Sequence, residues 1–165
     1  MEKRPVFKIE MQLSDKVIEA IAYIALIALW LFICIIYFKL PETVPTHFDM
    51  SGTADSFGDK ESVFMAPGIC TVLFVMMSFI QHKPQWLNYP TEITPENALK
   101  QYTFAMKMIR FLKLSIVIIF GLIELHTYKA AMGMNAESGK YLIITVLALV
   151  YIPVFYFLIQ SSKSQ

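Results

Sequence analysis

The sequence predicts an all-α integral membrane protein, a four-helix bundle with an ordered loop on its extracytoplasmic side. Apolar residues make up 56% of the chain and charged residues 16%, whereas soluble domains average about 45–50% and about 25%. The apolar residues are also gathered into long runs, which is typical of membrane spans. The length predicts a single domain, residues 1–165.

The first apolar run, residues 20–38, contains no charge and covers about 30 Å of hydrocarbon as a helix. It is too long for the core of a signal peptide, and no small-residue cleavage site follows it. A second run occupies residues 63–81. The last run, residues 141–160, contains Pro153, which transmembrane helices tolerate when neighbours satisfy the freed carbonyl.

The third segment is less simple, because its uncharged centre, residues 114–123, is too short to span alone. We expect a continuous helix that starts near Thr94, runs along the interface and then turns in, with Thr94 as N-cap and Pro95 in the first position. Its basic side chains would extend to the headgroups. A soluble amphipathic helix followed by a short re-entrant one is the alternative. The predicted spans are about 17–38, 63–82, 104–126 and 141–160.

Lysine and arginine are distributed unevenly along these spans. The chain has 14 such residues. Ten of them, including Lys3, lie beside the two termini or between the second and third spans, and four, including Lys140, lie elsewhere. Positive charge is retained in the cytoplasm. The sequence therefore predicts a multi-pass protein of the cell membrane with both termini cytoplasmic. A net charge of +1 argues against a nucleic-acid partner.

Residues 40–60, here called the signature loop, connect the first two predicted spans. The loop is longer than ordinary helix–helix connections of about two to eight residues. Its prolines fix φ and its glycines permit tight turns, so we expect an ordered structure. Leu40, Val44, Phe48 and Phe57 are expected to pin it to an apolar surface.

His47 is the first candidate for chemistry, because imidazole titrates near neutral pH, ligates metals and transfers protons. The nearest acids are Asp49, Asp55 and Asp59, but their spacing matches no metal or calcium motif. We therefore expect no metal, no cofactor and no catalytic residue. A structural role for His47 is favoured over contact with a peptide or lipid headgroup, and metal binding or catalysis ranks last.

Each of two pairs of residues has two alternative interpretations. Asp55 and Lys60 are spaced to pair across a turn, either as a solvated pair worth under about 1 kcal/mol or as one that Phe57 covers. Cys34 and Cys70 are expected to pack as small apolar residues, and a disulfide in an oxidising environment is the alternative.

Glu124 and His126 lie near the outer end of the third predicted span. An acidic residue inside a span indicates a functional site, whereas an acidic residue at the interface is an ordinary polar residue. The interfacial interpretation is favoured for Glu124. An outer-face polar site that Glu124 and His126 share with His47 is the alternative. Glu19, near the inner end of the first span, is interpreted as an interfacial anchor.

The signature loop resembles the pattern L-P-x-x-[IV]-P-x-H-[FW]-x-x-x-G-x-x-D-x-[FW]-G-x-K, which marks the N-terminal domain of the SdpI family of bacterial membrane proteins. The matching residues are Leu40, Pro41, Val44, Pro45, His47, Phe48, Gly52, Asp55, Phe57, Gly58 and Lys60. Residues 88–102 are similar to a cytoplasmic loop of small family members. The full family architecture continues into further helices beyond the four predicted here.

The family is named for immunity to a secreted sporulation-delaying toxin, and its best-known members also hold a transcriptional repressor at the membrane. The resemblance implies a non-enzymatic immunity or signal-transduction protein. The loop would meet a toxin, peptide or lipid, and the basic stretch 83–113 would meet lipid or a cytoplasmic protein partner. A small transporter or an accessory transporter subunit is the alternative, and a membrane enzyme with a metal at His47 is the third hypothesis.

A cysteine introduced at Ser51 tests the predicted orientation. We expect a membrane-impermeant thiol reagent to label the Ser51→Cys variant in intact cells, because the signature loop would face outwards. The parent chain, whose two cysteines lie in apolar runs, is the control. Labelling only after lysis would place the loop in the cytoplasm.

Overall fold

The computed structural model describes residues 4–134 and 139–163, with backbone alone at residues 139–140. Lys3 and the side chain of Lys140, which enter the charge count, lie outside this description. The described chain is mostly helical. Its helices are α1 (Leu13–Tyr37), α2 (Met65–Ile80), α3 (Ala98–Ala131) and α4 (Gly139–Ser162). Its strands are β1 (Thr43–Phe48) and β2 (Ala54–Asp59), and 3-10 turns occupy Lys60–Phe64 and Pro84–Trp86.

Among the described residues, three helical segments are long and apolar enough to cross a membrane, namely Leu13–Tyr37, Lys60–Ile80 and Tyr141–Ser162. Their outward side chains include large apolar residues such as Ile24 and Ile144, which are 65% and 66% exposed. A bilayer covers such surfaces, whereas water disfavours large apolar patches. The chain is therefore a membrane protein. That α3, which carries more charge than these three segments, also crosses the membrane stays a prediction.

The helix α3 is a single helix of 34 residues, about 51 Å long, as the continuous interpretation of the third segment expected. It begins at Ala98, four residues after the predicted N-cap Thr94. Thr94 N–H donates to Asn97 Oδ1 at 3.0 Å, and Asn97 N–H donates to Thr94 Oγ1 at 3.4 Å. Thr94 therefore closes the turn before the helix.

The signature loop contains an antiparallel hairpin formed by β1 and β2, so the prediction of an all-α protein was wrong at this point. The β-branched and aromatic residues Thr43, Val44, Thr46 and Phe48 favour extended backbone. Pro45 is tolerated because a two-stranded sheet consists only of edge strands.

Contacts between side chains set the helix directions. Trp30 Nε1 donates to Thr71 Oγ1 at 2.9 Å, which joins α1 to α2. Gln101, at the start of α3, and Ser161, at the end of α4, exchange two buried hydrogen bonds. The second contact joins the start of α3 to the end of α4, so these two helices run in opposite directions. The hairpin marks one end of the molecule, the hairpin end, and residues 4–12 mark the other, the terminal end.

An apolar core lies among α1, α2 and α3 and extends to the base of the hairpin. Cys70 is fully buried in it, which agrees with its interpretation as a small apolar residue. Cys34 is exposed on α1, and both thiols are free, so the disulfide alternative is not realised in the structure.

Three basic side chains of α3 meet the first turns of α1, and we call these contacts the ion ladder. The ladder consists of Lys107 Nζ to Gln12 Oε1 at 3.0 Å, Arg110 Nη1 to Asp15 Oδ1 at 3.6 Å, and the Lys113–Glu19 ion pair. Each step advances by one turn along both helices, which shows that they run parallel. Arg110 and Lys113 are 5% and 0% exposed, so the prediction that they extend to headgroups was wrong. Glu19, interpreted from the sequence as an interfacial anchor, is paired with Lys113 in the ladder.

The ammonium group of Lys113 also contacts α2. Its Nζ donates to Ser78 Oγ at 3.0 Å and lies 4.6 Å from the ring centroid of Phe74. Tyr23, on α1, places its ring centroid 5.3 Å from the same nitrogen. Cations are attracted to the faces of aromatic rings, so three helices converge on one charge.

Replacing Lys113 with Met is expected to lower the free energy of unfolding by about 3–5 kcal/mol, because Glu19 then keeps its charge without a partner. The double variant Lys113→Met/Glu19→Met should recover most of this loss, since neither charge remains. Chemical unfolding in detergent micelles measures both. Lys39→Met, at an exposed position, is the control. A single variant as stable as the parent would contradict the buried ion pair.

Candidate functional site

The candidate site is the hairpin together with the end of α3 beneath it. Val44 lies opposite Gly58 and Phe48 lies opposite Ala54, with irregular register between Pro45 and Phe48. A turn at residues 49–53 joins the two strands.

Asp49 organises this turn. Its Oδ1 accepts the Ser51 hydroxyl at 2.6 Å, the Ser51 N–H at 2.8 Å and the Thr53 N–H at 2.9 Å. Gly52 has a φ of +82°, in the left-handed region that glycine adopts without strain. The hydrogen bond from the Ser51 side chain, with those from the backbone, holds the pKa of Asp49 below its ordinary value. Asp49, one of the acids near His47 in the sequence, therefore serves to close the turn.

His126 of α3 supports the turn from below. Its Nε2 lies 2.9 Å from the Gly52 carbonyl oxygen, and the centroid of its ring lies 4.5 Å from that of Phe48. A carbonyl only accepts hydrogen bonds, so Nε2 is the protonated nitrogen that donates. His126 is 3% exposed, and we call its contact with Gly52 the His126 strut. Val44 and Leu40, both buried, attach the base of the hairpin to the apolar core.

His47 and Asp55 form a pair on the outward surface of the hairpin. His47 Nδ1 lies 2.5 Å from Asp55 Oδ1, and the two side chains are 68% and 47% exposed. Across the described part of the chain, no hydrogen bond or ring contact joins His47 to Glu124 or His126. The structure therefore does not bring these three residues together in one polar site.

The predicted Asp55–Lys60 pair was wrong, because the strand register selects other partners. Thr43 lies opposite Asp59, which brings Glu42 beside Lys60. Lys60 Nζ donates to Glu42 Oε1 at 2.6 Å. Phe57 is 61% exposed, so it does not cover an ion pair and lies outside the apolar core.

Glu124 lies one half-turn of α3 before His126 and is 3% exposed. The protein therefore encloses the Glu124 side chain, while its interfacial depth stays a prediction. Glu124 Oε2 and His126 Nδ1 have no hydrogen-bond partner among the described residues. In the same part of the chain, no group of three or more His, Cys, Asp or Glu side chains is arranged to hold a metal ion.

Comparison with known proteins points to the same region. Residues 24–71 match the family described as a domain of unknown function, DUF1648. The match runs from α1 through the hairpin into α2, and the chain is therefore a membrane protein with a DUF1648 domain. An uncharacterized protein of Archaeoglobus fulgidus is 32% identical over 85 residues, which cover 47% of this chain and 46% of that relative. The chain thus spans about half the length of this relative. No solved structure matches the chain.

Gly58 provides a test of the hairpin geometry. A Cβ at this position would lie 2.9 Å from Thr46 Cγ2, so we expect Gly58→Ala to destabilise the hairpin by about 1–2 kcal/mol. Adding Thr46→Ser, which removes the methyl group and keeps the hydroxyl that donates to Ser56 Oγ, should restore it. Limited proteolysis in micelles measures the effect.

The control for this experiment is Gly68→Ala, because nothing lies within 4 Å of a Cβ built there. If Gly58→Ala resists protease as well as the parent, the close packing of β1 against β2 is contradicted.

Proposed function

We propose that this chain is a non-enzymatic immunity or sensor protein of the cell membrane, which meets a toxin, peptide or lipid at its hairpin. The resemblance of the signature loop to the SdpI family supports the proposal. The distribution of lysine and arginine supports an orientation with the hairpin outside and both termini in the cytoplasm. The single observation that carries the proposal is the His126 strut, which bonds the turn of the hairpin to α3.

The exposed surface of the hairpin offers both polar and apolar groups to a ligand. His47 and Asp55 supply a hydrogen-bonded pair, while Met50 and Phe57 are 82% and 61% exposed. A mixed surface of this kind is suited to an amphipathic ligand at the membrane–water boundary, where one side of the ligand is apolar and the other wet. The hairpin is therefore the proposed contact surface.

The helix α3 connects this surface to the other end of the molecule. It runs without a break from the ion ladder to the His126 strut. Packed helices can shift by about 1–2 Å when a ligand binds. The ligand favours one arrangement of the helices only to the extent that it binds that arrangement more tightly than the other. Ligand binding at the turn would therefore bias the position of α3, and with it the ladder.

A cytoplasmic partner is proposed to meet residues 83–100. Arg4 Nη1 donates to the Leu87 carbonyl at 2.6 Å, and Tyr102 donates to the Pro5 carbonyl at 3.1 Å, so this connection is folded against residues 4–12. Trp86 is 63% exposed beside this fold and is available to lipid or protein. The sequence predicted a partner surface over residues 83–113, but Arg110 and Lys113 are buried in the ladder and are excluded from it.

A second candidate is a small transporter or an accessory subunit of one. The observation that favours it is the burial of Glu124 and of the ladder charges, because ionisable groups inside membrane segments often mark solute or proton pathways. This candidate predicts that Glu124→Gln changes solute flux as much as His47→Ala does.

Growth under challenge with membrane-active peptides tests the first proposal. The strains are a deletion, and the deletion complemented with the parent, His47→Ala, His126→Ala or the control Lys39→Ala, all at matched membrane abundance. We expect the deletion to be several-fold more sensitive to at least one peptide, and only the parent and Lys39→Ala to restore resistance. If every strain grows alike under every challenge, the immunity proposal fails.

A further inference from the structure

A groove between α1, α3 and α4 opens at the terminal end of the molecule. Its volume is about 520 Å³. Its walls are mainly apolar, but Ser14, Asp15 and Lys107 give it a polar end. No residue of the hairpin lines the groove, so a ligand here would not contact the surface that the proposed function assigns to the hairpin.

The apolar part of the groove continues between α3 and α4. A second cavity of about 290 Å³ shares Phe111 and Pro153 with the first and extends to Ile118 and Ala148. From Lys107 to Ile118 the two cavities follow α3 for about 17 Å, at a rise of about 1.5 Å per residue. A long apolar groove in a membrane protein fits an acyl chain.

The polar end of the groove carries uncompensated positive charge. Lys107 Nζ donates to the neutral Gln12 side chain, and no carboxylate forms an ion pair with it over residues 4–134 and 141–163. Asp15 is already engaged, because Oδ1 lies 3.6 Å from Arg110 Nη1 and Oδ2 accepts the Gln12 N–H at 3.0 Å. The polar end of the groove is therefore complementary in charge to an anion.

Tyr156 lies at the edge of the same groove and is 56% exposed. Tyrosine is enriched at the level of lipid headgroups, where its ring faces hydrocarbon and its hydroxyl faces polar groups. An anion at Lys107 would thus lie at headgroup depth, directly next to the apolar part of the groove.

We propose that this groove binds one anionic phospholipid, with its phosphate at Lys107 and one acyl chain along α3 and α4. A zwitterionic lipid would fill the same groove but would bring no net charge to Lys107. The site should therefore prefer anionic over zwitterionic headgroups when the acyl chains are identical.

Native mass spectrometry of the purified full chain in micelles tests this proposal. The probes are phosphatidylglycerol and phosphatidylcholine with matched chains, and glycerol phosphate without chains. We expect phosphatidylglycerol to bind about tenfold more tightly than phosphatidylcholine, because both phosphates can accept a hydrogen bond from Lys107 but the ammonium group of choline repels it. Lys107→Gln should abolish this preference, while Lys107→Arg and the control Lys100→Gln should retain it.

A second variant tests the acyl-chain part of the groove. Ala148→Phe, which fills the apolar cavity, should weaken binding of both phospholipids by a similar factor and leave the ratio between them unchanged. Equal affinities for the two phospholipids in the parent chain would overturn the proposal, as would an unchanged preference in Lys107→Gln. If glycerol phosphate alone binds as tightly as phosphatidylglycerol, the site is one for free anions and the proposal also fails.

Discussion

An ammonium group with no exposed surface, that of Lys113, sets the arrangement of α1, α2 and α3. A charge in an apolar interior is tolerated only when it is paired and hydrogen-bonded. Lys113 meets this requirement with Glu19 from α1 and Ser78 from α2. A slip of one turn between α1 and α3 would re-form the other steps of the ion ladder, but it would leave either Lys113 or Glu19 without a charged partner on the facing helix. We therefore interpret the ladder as the device that fixes the register of these helices.

The hairpin depends on the same helix. The His126 strut joins the turn to α3, and Asp49 closes the turn around the carbonyl that His126 contacts. The position of the hairpin is therefore set by the position of α3, which the ladder fixes at the opposite end. This connection between two polar clusters at the two ends of one helix gives the signalling proposal its structural basis.

The sequence predicted the helices well, because an apolar run of about 20 residues is long enough to cross a bilayer and is rare in other settings. It did not predict the hairpin, whose strands are short, polar and interrupted by Pro45, so the alternation expected of a strand is missing. The Asp55–Lys60 error has a related cause. Asp55 and Gly58 lie in the same extended strand, β2, so no turn at Gly58 brings Asp55 back to Lys60.

The sequence contains a pattern that indicates the ion ladder, but the basic residues in it were predicted to contact headgroups. Lys107, Arg110 and Lys113 recur every three residues, and polar groups at positions 12, 15 and 19 have a matching period. Contact with headgroups explains each charge when it is considered alone. Only a comparison of the spacing on α3 with the spacing on α1 indicates that the two helices pair. The burial of Glu124 could not be predicted, because it depends on how α3 packs.

The most direct test of the ladder is cross-linking between α1 and α3 in the membrane. In a chain with both native cysteines replaced by serine, Gln12→Cys is combined with Lys107→Cys or with Lys129→Cys, which lies about 33 Å farther along α3. We predict that a short bifunctional thiol reagent links the first pair and not the second. Efficient linking of the second pair, or of neither, would contradict the parallel, ladder-registered packing of the two helices.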